Sequence, residues 1–190
     1  VDLVRAQLEI AATGKLPFEQ FGIKRHGHAI EARVYAEDAA RGFLPQVGTA
    51  VRVRWPDGPF VRVDSGLESG DAVSVHYDPM LAKIIAYGPT RAAALQRLLG
   101  ALDDTRVHGV VTNLPFLRAL LRAPEVQRAE FDTEWVEREF LAGFASLSLA
   151  PVPDLALAAA ALAEAAGAAA TLATPPPGAA PRPADPFADL

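Results

Sequence analysis

Residues 29–37 alternate without a break. Ile30, Ala32, Val34 and Ala36 fall on one side, and Glu31, Arg33, Tyr35 and Glu37 on the other. Successive side chains of an extended strand point to opposite faces, so this segment predicts a half-buried strand with one charged face. The strand sits in a dense run, HGHAIEARVYAEDAARGFLP (26–45), holding two His, two Glu and two Arg. A second dense run spans Val61–Gly88 and contains VRVDSG and HYDPMLAKIIAYG. Within it, 80–87 is nearly continuous apolar and broken by Lys83, the composition of a central strand.

The remaining segments fill in around these strands. A helix is expected over 2–13, capped by Asp2 and stopped by Gly14, with Leu3, Val4, Leu8 and Ala11 at helical spacing. Thr49–Trp55 alternates, Pro56-Asp57-Gly58-Pro59 is a turn signal, and 60–64 reads as the returning strand, so 49–64 predicts a hairpin. There Val61 and Val63 share one face, and Arg62 and Asp64 share the other. Thr90 caps a helix over 91–103 with Leu95, Leu98, Leu99 and Leu102 inward. Thr112-Asn113 ahead of Pro115 marks another helix start, with Asn113 as its cap, and 133–144 predicts a third. Strands in the first half and helices in the second define an α+β fold, an antiparallel sheet packed by helices. The compact domain is expected over 1–145. Residues 146–190 are expected to form an Ala-rich helix (154–172) and a linker holding six of the sixteen prolines, leading toward a downstream region.

Composition excludes several classes. A net charge of −5 argues against a nucleic-acid surface, which needs a basic footprint. With no cysteine there is no disulfide framework and no thiolate metal site. No run has the length and hydropathy of a membrane span, and no signal peptide is legible. The chain opens on Val1 rather than Met, from which excision from a longer protein is expected.

Arg62 leads the candidate residues. A guanidinium is always charged and presents a rigid fork to planar anions, which suits a carboxylate, bicarbonate or a developing enolate. The plainer reading is a surface arginine paired with Asp64 or Glu31. Glu31, Arg33 and Glu37 share a strand face and can position one another or form an ion network. His26 and His28 share a face, but no third ligand completes a metal set. Lys83 must reach water or a carboxylate. No phosphate loop, nucleophile elbow or HExxH is present. The residues by themselves describe an anion-competent polar face without a complete catalytic set.

Taken in order, GHAIEARVYAED…FLP, VRVDSG…HYDPMLAKIIAYG and HGVVTN resemble the C-terminal domain of biotin carboxylase, an ATP-grasp ligase. The opening VDLVRAQLEIAATG is similar to the segment following that family's catalytic core, and the resemblance covers about residues 1–140 in register. It implies a ligase that uses ATP, Mg²⁺ (or Mn²⁺) and bicarbonate to make carboxyphosphate, then carboxylates N1 of biotin on a carrier. It implies that Arg62 contacts bicarbonate and the biotin ureido oxygen and stabilises the biotin enolate, with Glu31, Arg33 and Asp64 as a supporting polar network. Thr133, in FDTEW, matches the stretch passing the adenine edge of ATP. Tyr87 and Arg91 match a dimer-forming surface.

The lysines and glycine-rich lid for ATP, the carboxylates for Mg²⁺ and the general base belong to upstream sequence in this family, so this chain alone is expected to be inactive, with no metal site of its own. Ala39 stands where the family commonly has Pro, and His108 where an acidic residue is common; the second change bears on docking of the biotin arm or its carrier. The long tail resembles the connection to a carrier domain in acetyl-, propionyl- or methylcrotonyl-CoA carboxylase α subunits of fatty acid metabolism. Implied partners are a biotin carboxyl carrier domain, a carboxyltransferase subunit and a second copy of the carboxylase, in the cytoplasm. The alternatives are a dimerisation or carrier-docking module without chemistry, and the closing domain of another ATP-grasp ligase.

Overall fold

The computed structural model describes residues 1–148, 158 and 161–162, and Val1–Ser148 form one compact unit. The Pro-rich linker, and the Ala-rich segment apart from helical residues 158, 161 and 162, lie outside the described residues.

A three-stranded antiparallel sheet organises the unit. Its order is β1 (His28–Tyr35), β8 (Met80–Gly88), β6 (Val61–Ser65), so the apolar run 80–87 is indeed central. Ala32, Val34, Ile84 and Ala86 project to one face and are buried. Helix α2 (Arg91–Asp104) covers them with Leu95, Leu98 and Leu102, and Thr90 accepts the Ala93 N–H at its start. Each such side chain removed from water contributes about 1.5–3 kcal/mol. Close approach of α2 depends on Gly88, where a Cβ would lie 2.5 Å from the Ala94 nitrogen.

The other helices complete this layer. Helix α3 (Leu114–Arg122) and α4 (Pro124–Arg128) bring Leu114, Leu121 and Val126 into the same core. The expected helix at 133–144 is instead a turn, a π-helical stretch Val136–Phe140 and α5 (Leu141–Ser148). Asp132 starts it by accepting the Trp135 N–H at 2.7 Å, and Trp135 is buried against the core. Phe116 meets Phe43, Phe140 and Phe144 edge-on at 4.9, 5.7 and 5.4 Å. Helix α1 (Leu3–Thr13) has the predicted Asp2 and Gly14 caps, yet Ala6 is its one buried residue, and Leu3, Val4 and Leu8 are exposed.

Three short two-stranded ribbons surround a second core of Ala36, Ala50, Leu67, Leu81 and Val110. They pair β2 (Glu37–Asp38) with β3 (Leu44–Pro45), β4 (Gly48–Thr49) with β7 (Ala72–Val73), and β5 (Arg52–Arg54) with β9 (Arg106–His108). The predicted hairpin at 49–64 does not form. The chain turns at Pro59–Phe60, where the Val61 N–H donates to the Gly58 carbonyl, but β5 goes to β9 and β6 to β8. Val61 and Val63 pack on the helical core, while Trp55 bonds the Leu67 carbonyl at 3.1 Å and bridges both clusters. Burial, rather than the local turn, selects the partners.

Asn113 also departs from expectation. Its side chain caps nothing. Buried at 6% exposure, its Oδ1 accepts the Tyr35 N–H (3.0 Å) and its Nδ2 donates to the Arg33 carbonyl (3.1 Å). Its own N–H donates to the Tyr35 carbonyl (3.1 Å). The amide thus stands in for a missing strand along β1, where the ladder to β8 shifts register between Val34 and Tyr35. Backbone groups there would otherwise be buried without partners, which is costly.

Candidate functional site

The face of the sheet turned away from α2 is open and charged. Register sets its order. Arg33 lies opposite Lys83, and Lys83 opposite Asp64, in one cross-strand row; Glu31, Ile85 and Arg62 form the next. Three cations and two carboxylates therefore share two adjacent rows, leaving one positive charge in excess.

Hydrogen bonds divide them. Arg62 donates from Nε to Asp64 Oδ1 at 2.7 Å and from Nη2 to Oδ2 at 3.2 Å. Lys83 Nζ lies 3.5 Å from the same Oδ2. Arg33 donates from Nε to Glu31 at 2.9 Å. These bonds raise the Arg62 and Arg33 guanidinium pKa values. The Asp64 carboxyl is held below its usual range, first by the Arg62 hydrogen bond and, despite some desolvation, also by the charges of Arg62 and Lys83. Exposed pairs of this kind contribute little to stability. Their effect is orientation: Arg62 is 75% exposed at its side chain, and among the described residues its Nη1 has no partner. One edge of the fork is held and the other faces outward, a geometry suited to a planar anion.

The structure thus gathers Arg62, Asp64, Glu31 and Arg33 on one face. Thr133 is elsewhere: it is exposed in the turn before Trp135, which packs into the core under the sheet's opposite face. Glu37 lies beyond the β1 irregularity, half-buried in β2, with its pKa raised by desolvation and then by Asp78. Lys83 joins Asp64 rather than Asp78, five residues before it, whose Oδ1 accepts the Met80 N–H. Alternation of 61–65 and the lysine that breaks the apolar run 80–87 carried that signal, but only once the two strands are known to pair. His26 and His28 are exposed, and among the described residues no group of three or more His, Asp or Glu can hold a metal. Arg91 donates both Nη groups to the carbonyls of Val126 and Gln127 and so caps α4. His108 stands opposite Arg52 on the outer ribbon.

Residues 31–138 match the family model of the biotin carboxylase C-terminal domain, and the chain belongs to that family. It is 44% identical over 138 residues to the mitochondrial methylcrotonoyl-CoA carboxylase subunit alpha of Oryza sativa, covering 72% of this chain and 19% of that protein. It is 39% identical over 181 residues to the propionyl-CoA carboxylase alpha chain of Ruegeria pomeroyi, covering 85% and 26%. The biotin carboxylase domain dimer of Hydrogenobacter thermophilus 2-oxoglutarate carboxylase, solved with MgADP and bicarbonate, superposes with a TM-score of 0.69 at 33% identity, covering 73% and 30%. The chain thus spans about a fifth to a quarter of the curated relatives named here.

Proposed function

We propose that this chain is the C-terminal part of an ATP-dependent biotin carboxylase, within an acyl-CoA carboxylase α subunit, and that its open sheet face completes the bicarbonate and biotin site. One observation carries the reading: Arg62 is clamped by Asp64 at Nε and Nη2, while its side chain is exposed and Nη1 has no partner among the described residues. A guanidinium so fixed binds the carboxylate-like face of bicarbonate. It also stabilises the negative charge that develops on the biotin ureido oxygen as N1 gives its proton to a base outside this chain, ahead of carboxyl transfer, because it is in place before that charge develops. Glu31 holds Arg33 aside, and the surplus positive charge favours an incoming anion.

ATP with Mg²⁺ supplies the activation of bicarbonate, from residues upstream of this chain. The residues described here do not fit a metal site, so no metal-dependent step is assigned to them. Thr133 is proposed to pass the adenine edge of that nucleotide. Residues 1–145 are proposed as the domain and 146–190 as the connection to a carrier domain. A carboxyltransferase subunit and a second carboxylase copy are the further partners. The compartment proposed is cytoplasmic, although the rice relative is mitochondrial; no helix among the described residues is long and apolar enough to cross a membrane.

The reading is tested by bicarbonate- and biotin-dependent ADP release from the full-length parent protein. Release that requires both substrates supports it. ATP cleavage indifferent to biotin points to another ATP-grasp ligase.

A further inference from the structure

We infer that Lys83 is a positioning residue for Arg62, acting through Asp64; the inference rests on the carboxylation reading of the same face. Among the described residues, Asp64 is the only link between the two cations. Its Oδ1 receives Nε of Arg62, and its Oδ2 receives both Nη2 of Arg62 and the ammonium of Lys83. The terminal torsion of a carboxylate is broad, so an arginine–carboxylate pair with no further contact can swing about it as a unit. A second cation on Oδ2 opposes that rotation.

Lys83 is suited to this anchoring role by its place in the fold. It stands on β8, the central strand, hydrogen-bonded on both sides by β1 and β6, whereas Arg62 stands on the edge strand β6. Its side chain is 35% exposed, against 75% for Arg62. Neighbours Ala82 and Ile84 are buried on the opposite face, so the backbone beneath Lys83 is fixed by the core. Lys83 also lies opposite Arg33, and like charges in register repel. That repulsion favours Arg33 on Glu31, leaving Asp64 to Arg62. A lysine in an otherwise apolar strand therefore fixes the direction of the outward Nη1 edge, without touching substrate.

The experiment uses the full-length carboxylase subunit as wild type, Arg62→Ala, Lys83→Met and Lys83→Arg, with kcat and KM for bicarbonate and for ATP measured separately. Small displacements of a substrate-holding group are costly in rate, so Lys83→Met is expected to lower kcat/KM for bicarbonate by about tenfold or more. ATP KM should stay within about twofold, because the nucleotide is held elsewhere. Lys83→Arg should recover a large part of the loss. Lys83→Gln replaces Lys83→Met if the latter melts early, with the same expectation. Wild-type kinetics in Lys83→Met or Lys83→Gln, alongside an inactive Arg62→Ala, overturn the inference and leave the carboxylation reading intact. A wild type without biotin-dependent turnover overturns that reading, and the inference with it. Equal losses toward bicarbonate and ATP would make Lys83 merely structural and also overturn the inference.

Discussion

Asp64 holds Arg62 by two nitrogens, at 2.7 and 3.2 Å, across two residues of a single strand face. The period of a β-strand makes the contact possible, since residues i and i+2 point the same way. The contact is exposed, so its consequence lies in direction more than in stability.

That pairing gives stability a small acid dependence. The folded pKa of Asp64 lies below its ordinary value of 3.8. Its contribution is therefore present above that value and is lost as pH falls through the folded pKa. Asp64→Asn should melt slightly below wild type at pH 7, and the difference should shrink as pH falls below 3.8. Melting curves of the two chains against pH provide the check.

Glu37 behaves in the opposite sense. Burial and Asp78 raise its folded pKa above 4.5, so its contribution is fully present below that value and is lost as pH rises through the folded pKa. Glu37→Gln should melt above wild type at pH 7. The advantage should vanish below pH 4.5. An unchanged difference across that range would mean the glutamate is solvated in both states.

Asn113→Ala removes partners from the Tyr35 N–H and the Arg33 carbonyl at a buried position. Stranded polar groups cost about 1–3 kcal/mol each, so urea unfolding should show a loss on that scale, far more than an ordinary helix cap. A loss of a few tenths would mean that water replaces the amide.

Leu98→Ala and Leu8→Ala separate the two helices. Leu98 is fully buried between α2 and the sheet, and truncation should cost about 2–5 kcal/mol. Leu8 is 68% exposed on α1, and the same change should stay within about 0.5 kcal/mol. Chemical denaturation of this chain distinguishes them.

The sheet was legible because its strands announce themselves locally: strict alternation over 29–37 and an apolar run over 80–87. The caps at Asp2, Gly14 and Thr90 were legible for the same reason. What local sequence does not carry is the choice of partner. The Pro56–Pro59 turn looked like a hairpin, yet β5 and β6 join different sheets. Asn113 looked like a cap because its neighbours start a helix, whereas its bonds reach residues 78 and 80 positions away. For the same reason the Lys83–Asp64 contact emerges only from the pairing of β6 with β8. The charged face was readable from Glu31, Arg33, Arg62 and Asp64, and so was the pairing of Arg62 with Asp64, but the addition of Lys83 to that pair was not.

Biotin-dependent ADP release by the full-length parent protein, wild type against Arg62→Ala, tests the account most directly. Loss of one charge-stabilising donor costs about 10²–10³ in kcat, and a drop of that order is predicted with ATP binding intact. Carboxylation at the wild-type rate by Arg62→Ala would contradict the account and return this face to a solvated ion network.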